Sequence, residues 1–325
     1  VLPVASSGET ATTGSTTPDT GAWGLALFAH SCFGLYVVLV KYLIRFLPPF
    51  GLLALAFGLG TPVVYLVTRR YLEWGKFWTL RVWPLLVIMT VRSLTKLLAI
   101  QFTLVTYVQL IDLMVPFFTP ILAYLLIREA MPSRTLRALA VTSMGSFLVI
   151  TVNPLDIQLP NGISDLIGIG LALVSSLAMT LGVVYTRQLA KRGVNSATLF
   201  FPQLITIAFT YGLLSVLSGE SWEPFAHITL STTAIYVLLM GVAVSGGLIQ
   251  VLSISRMNAS LFATLLSWRL IVAVVAGWVL LGEHLTSVWQ GIGIVTVILT
   301  ITLYLHYQTT RARIELANIR RSGTT

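Results

Sequence analysis

Charge and cysteine are scarce in this chain. Only 10% of its 325 residues are Asp, Glu, Lys or Arg, while 56% are hydrophobic. An ordinary soluble domain carries roughly 25% charged residues. The single cysteine, Cys32, lies inside an apolar run, which excludes an intrachain disulfide and a cysteine-built metal site. Acids are scarcer than bases, and the formal charge is +9. Such a balance can mark a nucleic-acid binder, but that function needs a basic soluble face with interleaved aromatics. Here most basic residues sit in short loops between apolar runs, so nucleic acid is not an expected partner. What remains is an all-α integral membrane protein, with the lipid bilayer as its solvent.

Catalytic constellations are missing as well. The sequence contains no Gly-rich phosphate loop, no nucleophile elbow and no paired catalytic carboxylates. No two histidines have metal-ligand spacing. The chain is therefore not expected to be an enzyme, to bind a metal or to need a cofactor.

A spanning helix needs ~20 mostly apolar residues. Ten stretches qualify, at approximately 22–44, 50–69, 82–105, 108–128, 135–153, 164–187, 197–218, 230–254, 259–282 and 287–308. Breakers fall between them: Pro48-Pro49, Pro132, Asn153-Pro154 with Pro160-Asn161-Gly162, Gly219 and Pro224. Residues 1–20 are rich in Ser, Thr and Gly and hold no Lys or Arg, so the positive n-region of a secretory signal is missing. They are expected to form a disordered tail. The first residue is Val1 rather than Met, which leaves room for an upstream piece.

Basic residues set the orientation. With the amino terminus inside, fifteen Lys and Arg fall in the inner loops and the carboxyl tail, against Lys41 and Arg45 on the other side. Both termini are then cytoplasmic, with the plasma (inner) membrane the expected location and an organelle membrane left open. Lys41 and Arg45 read as snorkelling anchors.

The chain also reads as two copies of a five-helix unit. Leu125-Leu126-Ile127-Arg128-Glu129 closes the fourth span and Val279-Leu280-Leu281-Gly282-Glu283 closes the ninth, 154 residues later. Val37-Val38 with Lys41 resembles Val183-Val184 with Arg187, at an offset of 146. An odd number of spans per unit forces the second copy to insert upside down, as in many secondary carriers. The expected divisions are a cytoplasmic tail at 1–20, a first repeat at 21–153, a second at 154–308 and a basic cytoplasmic tail at 309–325.

Met114-Val115-Pro116 through Ile127-Arg128-Glu129, together with Leu281-Gly282-Glu283-His284-Leu285-Thr286, resemble the drug/metabolite transporter superfamily of the EamA type. Repeats in that family typically end in a proline-containing helix followed by a Leu-Gly-Glu-Arg-like turn. The likeness covers residues 22–308. Two departures stand out: Ile127-Arg128 where Leu-Gly is usual, and Trp268-Arg269 in place of a small or Pro-containing middle of the ninth span. The resemblance implies metabolite transport, with a family range from amino-acid and drug-like efflux to nucleotide-sugar or sugar-phosphate exchange.

Three cations lie deep in the spans: Arg92, Lys96 and Arg269. A charge at the centre of a spanning helix costs roughly 3 kcal/mol on insertion scales, so such residues face a cavity or a partner. Arg92 and Lys96 are four apart, hence on one helix face about 6 Å apart along the axis, where they can clamp an anion. Under the 154-residue offset they correspond to Gly246 and Gln250. The rival reading pairs Asp112 with Lys96 and leaves Arg92 to backbone carbonyls or water. One acid cannot pair three cations, so anion binding by Arg92, Lys96 and Arg269 is the preferred expectation. Gln250, Ser245 and Tyr185 are weaker polar candidates. Asp112 is a candidate charge partner or coupling group. His30 is either a proton-coupling site or a hydrogen-bonded packing histidine. Pro116 and Pro120 free backbone carbonyls, to line a cavity or to make a packing kink.

The expected function is secondary transport of a small organic metabolite by alternating access, leaning to a carboxylate or phosphate cargo, with proton or counter-substrate coupling as a candidate. An amino-acid or drug-like exporter of the same fold is the first alternative. A non-transporting scaffold or accessory subunit is the second.

Overall fold

The structure is a computed structural model, and it describes residues 20–77, 81–103, 108, 111–112, 114–129, 134–150, 163–281 and 287–322. Among these residues every regular element is helical. In chain order they are α1 (Thr20–Leu43), α2 (Pro49–Thr68), α3 (Trp74–Phe77), α4 (Trp83–Phe102), α5 (Val115–Ile127), α6 (Thr135–Ile150) and α7 (Ile163–Lys191). They continue as α8 (Ser196–Leu217), α9 (Glu223–Ala226), α10 (Leu230–Arg256), α11 (Ala259–Thr264), α12 (Leu266–Leu281) and α13 (Val288–Ser322).

Eight helical segments among the described residues are long and apolar enough to cross a membrane. They match the expected spans except the fourth and fifth, where the described helices are shorter: 13 residues in α5 and 16 in α6. Leu66, Val67, Leu125, Phe209, Val216 and Val279 are exposed around the outside. Water would oppose so many bare apolar side chains; hydrocarbon does not. The molecule is a multi-pass, all-helical membrane protein. The tail to Asp19, the loop prolines from Pro132 to Pro160 and the turn holding Glu283 lie outside the described residues.

Local chemistry sets several helix ends. Pro49 opens α2 where a missing N–H costs nothing. Asn195 caps α8 by accepting the Ala197 N–H at 2.9 Å, and Thr229 accepts the Thr232 N–H at 3.3 Å to open α10. Gly193, at φ +77°, lets the chain turn left-handed after α7, and the Val194 N–H then bonds back to the Leu189 carbonyl at 3.1 Å.

Two carboxylates beyond helix ends reach across to open other helices. Glu220, just past α8, accepts the Phe50 and Gly51 N–H groups of α2 at 3.0 and 2.7 Å. Glu73, past α2, accepts the Asn195 N–H at 3.4 Å where α8 begins. A carboxylate at a helix N-terminus satisfies orphan donors and complements the helix dipole.

The tightest neighbours are α1 with α10, α4 with α7, α2 with α8, and α6 with α13. In addition, α1 packs on α12 and α5 on α7. These contacts enclose a cavity between α1, α2, α4, α8, α10 and α12.

Candidate functional site

The ninth expected span is interrupted. Helix α11 stops at Thr264, Leu265 forms a turn, and α12 starts at Leu266. An interruption inside a membrane strands backbone carbonyls, which persist only where protein or water satisfies them. His30 on α1 supplies one answer: its Nε2–H donates to the Phe262 carbonyl at 3.2 Å, with the two rings 4.6 Å apart. The Leu265 N–H also turns back onto that carbonyl, at 3.2 Å. The imidazole thus braces the break and is not among the residues lining the central cavity.

The break leaves Arg269 in the first turn of α12. Gly34 of α1 allows the two helices to touch here, because a Cβ at Gly34 would stand only 2.9 Å from the Val272 Cβ. With α1 this close, Phe33 lies beside the guanidinium: the Arg269 Cζ is 5.4 Å from the ring centroid. The Arg92 Cζ, arriving from α4, is 5.8 Å from the same ring. Both distances are within cation–π range.

Lys96 forms an ion pair with Asp112. The other Asp112 oxygen accepts the Ser176 hydroxyl at 2.9 Å. Counting residues from the turn puts Lys96 deeper than Asp112, and the lysine stem closes the difference. The sequence-level pairing of these two residues therefore exists, and it occupies Asp112. Among the described residues, no carboxylate lies within 4.0 Å of Arg92 or Arg269. Arg269 is only 5% exposed, and its Nε has no hydrogen-bond partner. Arg92, Lys96, Asp112 and Arg269 together carry a net +2 inside the bundle.

These cations border a cavity of about 90 Å³. Gln250 lines it, and its side chain makes no hydrogen bond to a described residue. A smaller void of about 10 Å³, enough for about one water, sits among Arg92, Lys96, Asp112, Ser175 and Arg269. Two expected residues lie elsewhere. Ser245 donates to the Gly241 carbonyl of its own helix at 2.6 Å and lies 3.9 Å from the Cys32 Sγ. Tyr185 donates to the Arg81 carbonyl at 2.8 Å. Of the prolines, Pro116 is the second residue of α5 and Pro120 sits inside it, both buried.

The sequence reading did not select Phe33, Gln203 or the pair Ser93 and Tyr211. All four line the cavity. The Tyr211 hydroxyl donates to the Ser93 carbonyl at 2.8 Å, with the Ser93 hydroxyl also 2.8 Å away. Gln203 gives its amide N–H to the Leu199 carbonyl at 2.7 Å. A glutamine directly after Pro202 in an otherwise apolar run was the available signal for the last.

A second ionic cluster seals the far end of α5. Glu129 receives Arg187 Nε and Lys191 Nζ, both at 3.2 Å, and accepts the Ala259 N–H at 3.1 Å. It joins the ends of α5 and α7 to the start of α11.

A cation-lined cavity inside a bundle with a lipid-facing apolar surface defines the class: an all-helical multi-pass membrane protein with an internal polar site. Comparison with protein-family models finds no match, and comparison with curated proteins finds none. Among solved structures, one described only as "Crystal structure of protein" superposes with a TM-score of 0.71 at 15% identity. The match covers 90% of this chain and 98% of the other. At that identity the likeness shows a shared fold.

Proposed function

We propose that the protein is a secondary carrier that moves a small organic anion across the membrane by alternating access. The observation that carries this reading is the convergence of Arg92 and Arg269 on one internal cavity with no carboxylate of a described residue within 4.0 Å of either. A guanidinium does not shed its proton to escape burial. Two unpaired ones in a membrane interior need water or an anion. Carboxylate and phosphate oxygens fit the guanidinium fork.

In this reading α5 and α6 belong to a fourth and a fifth span, giving ten spans as two inverted five-helix repeats divided at residues 153 and 154. The packing supports it. Exchanging the first five spans with the last five turns α1–α10 into α7–α4 and α1–α12 into α7–α5, and it maps α2–α8 and α6–α13 onto themselves. The crossed caps made by Glu73 and Glu220 follow the same exchange. The architecture agrees with the resemblance to the drug/metabolite transporter superfamily, and the loop charges favour cytoplasmic termini. The Glu129 cluster would close the inner side of the site while the cavity is loaded.

The test is flux. Purified protein in liposomes should exchange an internal labelled organic anion for an external one, and Arg269→Gln should remove that exchange while keeping the wild-type melting temperature. Absence of flux for carboxylates and phosphates alike would leave the fold as a scaffold.

A further inference from the structure

Resting on the carrier reading, we infer that the cargo is a compact, amine-free, apolar carboxylate, of the kind represented by a branched-chain 2-oxo acid. Four properties of the cavity lead there.

The first is charge. An ammonium group needs a carboxylate or several free carbonyls to replace its water. No carboxylate lines the main cavity among the described residues, since Asp112 borders only the small void and is held by Lys96 and Ser176. The Phe262 carbonyl, freed by the helix break, is already taken by His30 and Leu265. The ammonium of an amino acid would instead meet two guanidiniums in a medium that screens poorly. The site therefore discriminates against zwitterions by offering the amine no carboxylate, only the amide oxygens of Gln203 and Gln250, and by repelling it with two guanidiniums.

The second is the wall. Away from the cations the lining is largely aliphatic and aromatic, with Leu53, Phe57, Phe200 and Ile207 among it. Gly247 keeps that wall flat, since a side chain there would collide with the Phe200 ring. A polyhydroxylated body would lose its water against such a surface without replacing the hydrogen bonds. An alkyl body gains by leaving water.

The third is the small number of polar groups left. Ser93 and Tyr211 satisfy each other. Gln250 and Tyr36 line the cavity and make no hydrogen bond with a described residue. Two such donors suit a single neutral oxygen beside the carboxylate, as in a 2-oxo group.

The fourth is size. A cavity of about 90 Å³ is small, which favours a compact ligand over an extended one. One carboxylate has enough lone pairs to receive both guanidinium forks.

The experiment compares three probes of about equal size on the full-length protein in liposomes: 4-methyl-2-oxopentanoate, leucine and glycerol 3-phosphate. Counterflow of each is measured, with thermal stabilisation of the detergent-purified protein as a second readout. The expected result is at least a tenfold preference for the oxo acid over leucine and over glycerol 3-phosphate in both. Leucine or glycerol 3-phosphate handled as well as the oxo acid overturns this inference and leaves the carrier reading in place. Stabilisation by the oxo acid alone, with no counterflow of any probe, supports the inferred ligand class and overturns the carrier reading. No response to any probe in either measurement overturns the inference, and the wider anion series then decides the carrier reading.

Discussion

Arg92 and Arg269 come from opposite halves of the chain and set their guanidinium carbons 5.8 and 5.4 Å from the centroid of one ring, that of Phe33. Arg269 is almost wholly enclosed and its Nε has no partner. A guanidinium in that position holds its charge and an unmet hydrogen-bonding capacity, which the proposed anionic cargo would fill. Removing it should therefore affect binding more than folding. We predict that Arg269→Gln lowers anion affinity by about 10- to 100-fold, the loss expected for a charge-assisted hydrogen bond of ~1.5–3 kcal/mol. The melting temperature should stay near that of the wild type. Flux and melting measured on one preparation separate the outcomes, and lost transport with an equally collapsed melting temperature would count against a binding role.

Lys96 and Asp112 should behave differently, because each already satisfies the other. Breaking a buried pair from one side leaves an uncompensated charge and costs about 3–5 kcal/mol. Lys96→Met and Asp112→Asn are each predicted to lower stability strongly, and the double variant to lose much less than their sum. A denaturation cycle in detergent checks this, and strict additivity would sink the pairing argument.

Gly34 is predicted to control the placement of Arg269 without touching the cargo. A Cβ there meets Val272 at 2.9 Å and presses on the backbone at Arg269. Gly34→Val should cost about 1–3 kcal/mol as overpacking and weaken anion binding as α12 shifts. Gly58→Ala has open space around the new Cβ and serves as the control. Equal effects from the two substitutions would show that crowding at Gly34 is not what matters.

The crossed caps predict both topology and stability. Glu220→Ala should loosen the start of α2 by about 0.5–2 kcal/mol, the range for a lost N-terminal cap. Single cysteines at Gly75 and Ser221, beside the two capping glutamates, should react with a membrane-impermeant reagent from opposite sides in a Cys32→Ala background. Labelling of both from the same side would rule out the inverted arrangement.

His30 offers a further check. Its hydrogen bond to Phe262 braces the interrupted span, so His30→Ala should lower the melting temperature and His30→Gln, which keeps a donor, should restore part of it. A proton-coupling histidine would show the reverse: normal stability with pH-independent transport.

The sequence by itself determined that this chain lives in a membrane and that its apolar runs hold charges needing an explanation. Twenty apolar residues can satisfy their backbone in lipid only as a helix, so periodicity and length sufficed for most of the spans. Arg92, Lys96, Arg269 and Asp112 were legible for a related reason: a charge inside an apolar run is conspicuous wherever the run folds. Tertiary structure decided which of them meet. Nothing near Thr264 and Leu265, neither glycine nor proline, announces a broken helix, since the break is stabilised by a histidine more than 230 positions away. Phe33 carries no signal in the sequence, and it meets both guanidiniums because α1 packs against α12 at Gly34. Tyr185 and Ser245 looked free for cargo until Arg81 and Gly241 supplied carbonyls for their hydroxyls. Polarity is written residue by residue, whereas the satisfaction of a polar group depends on what packing brings within about 3 Å of it.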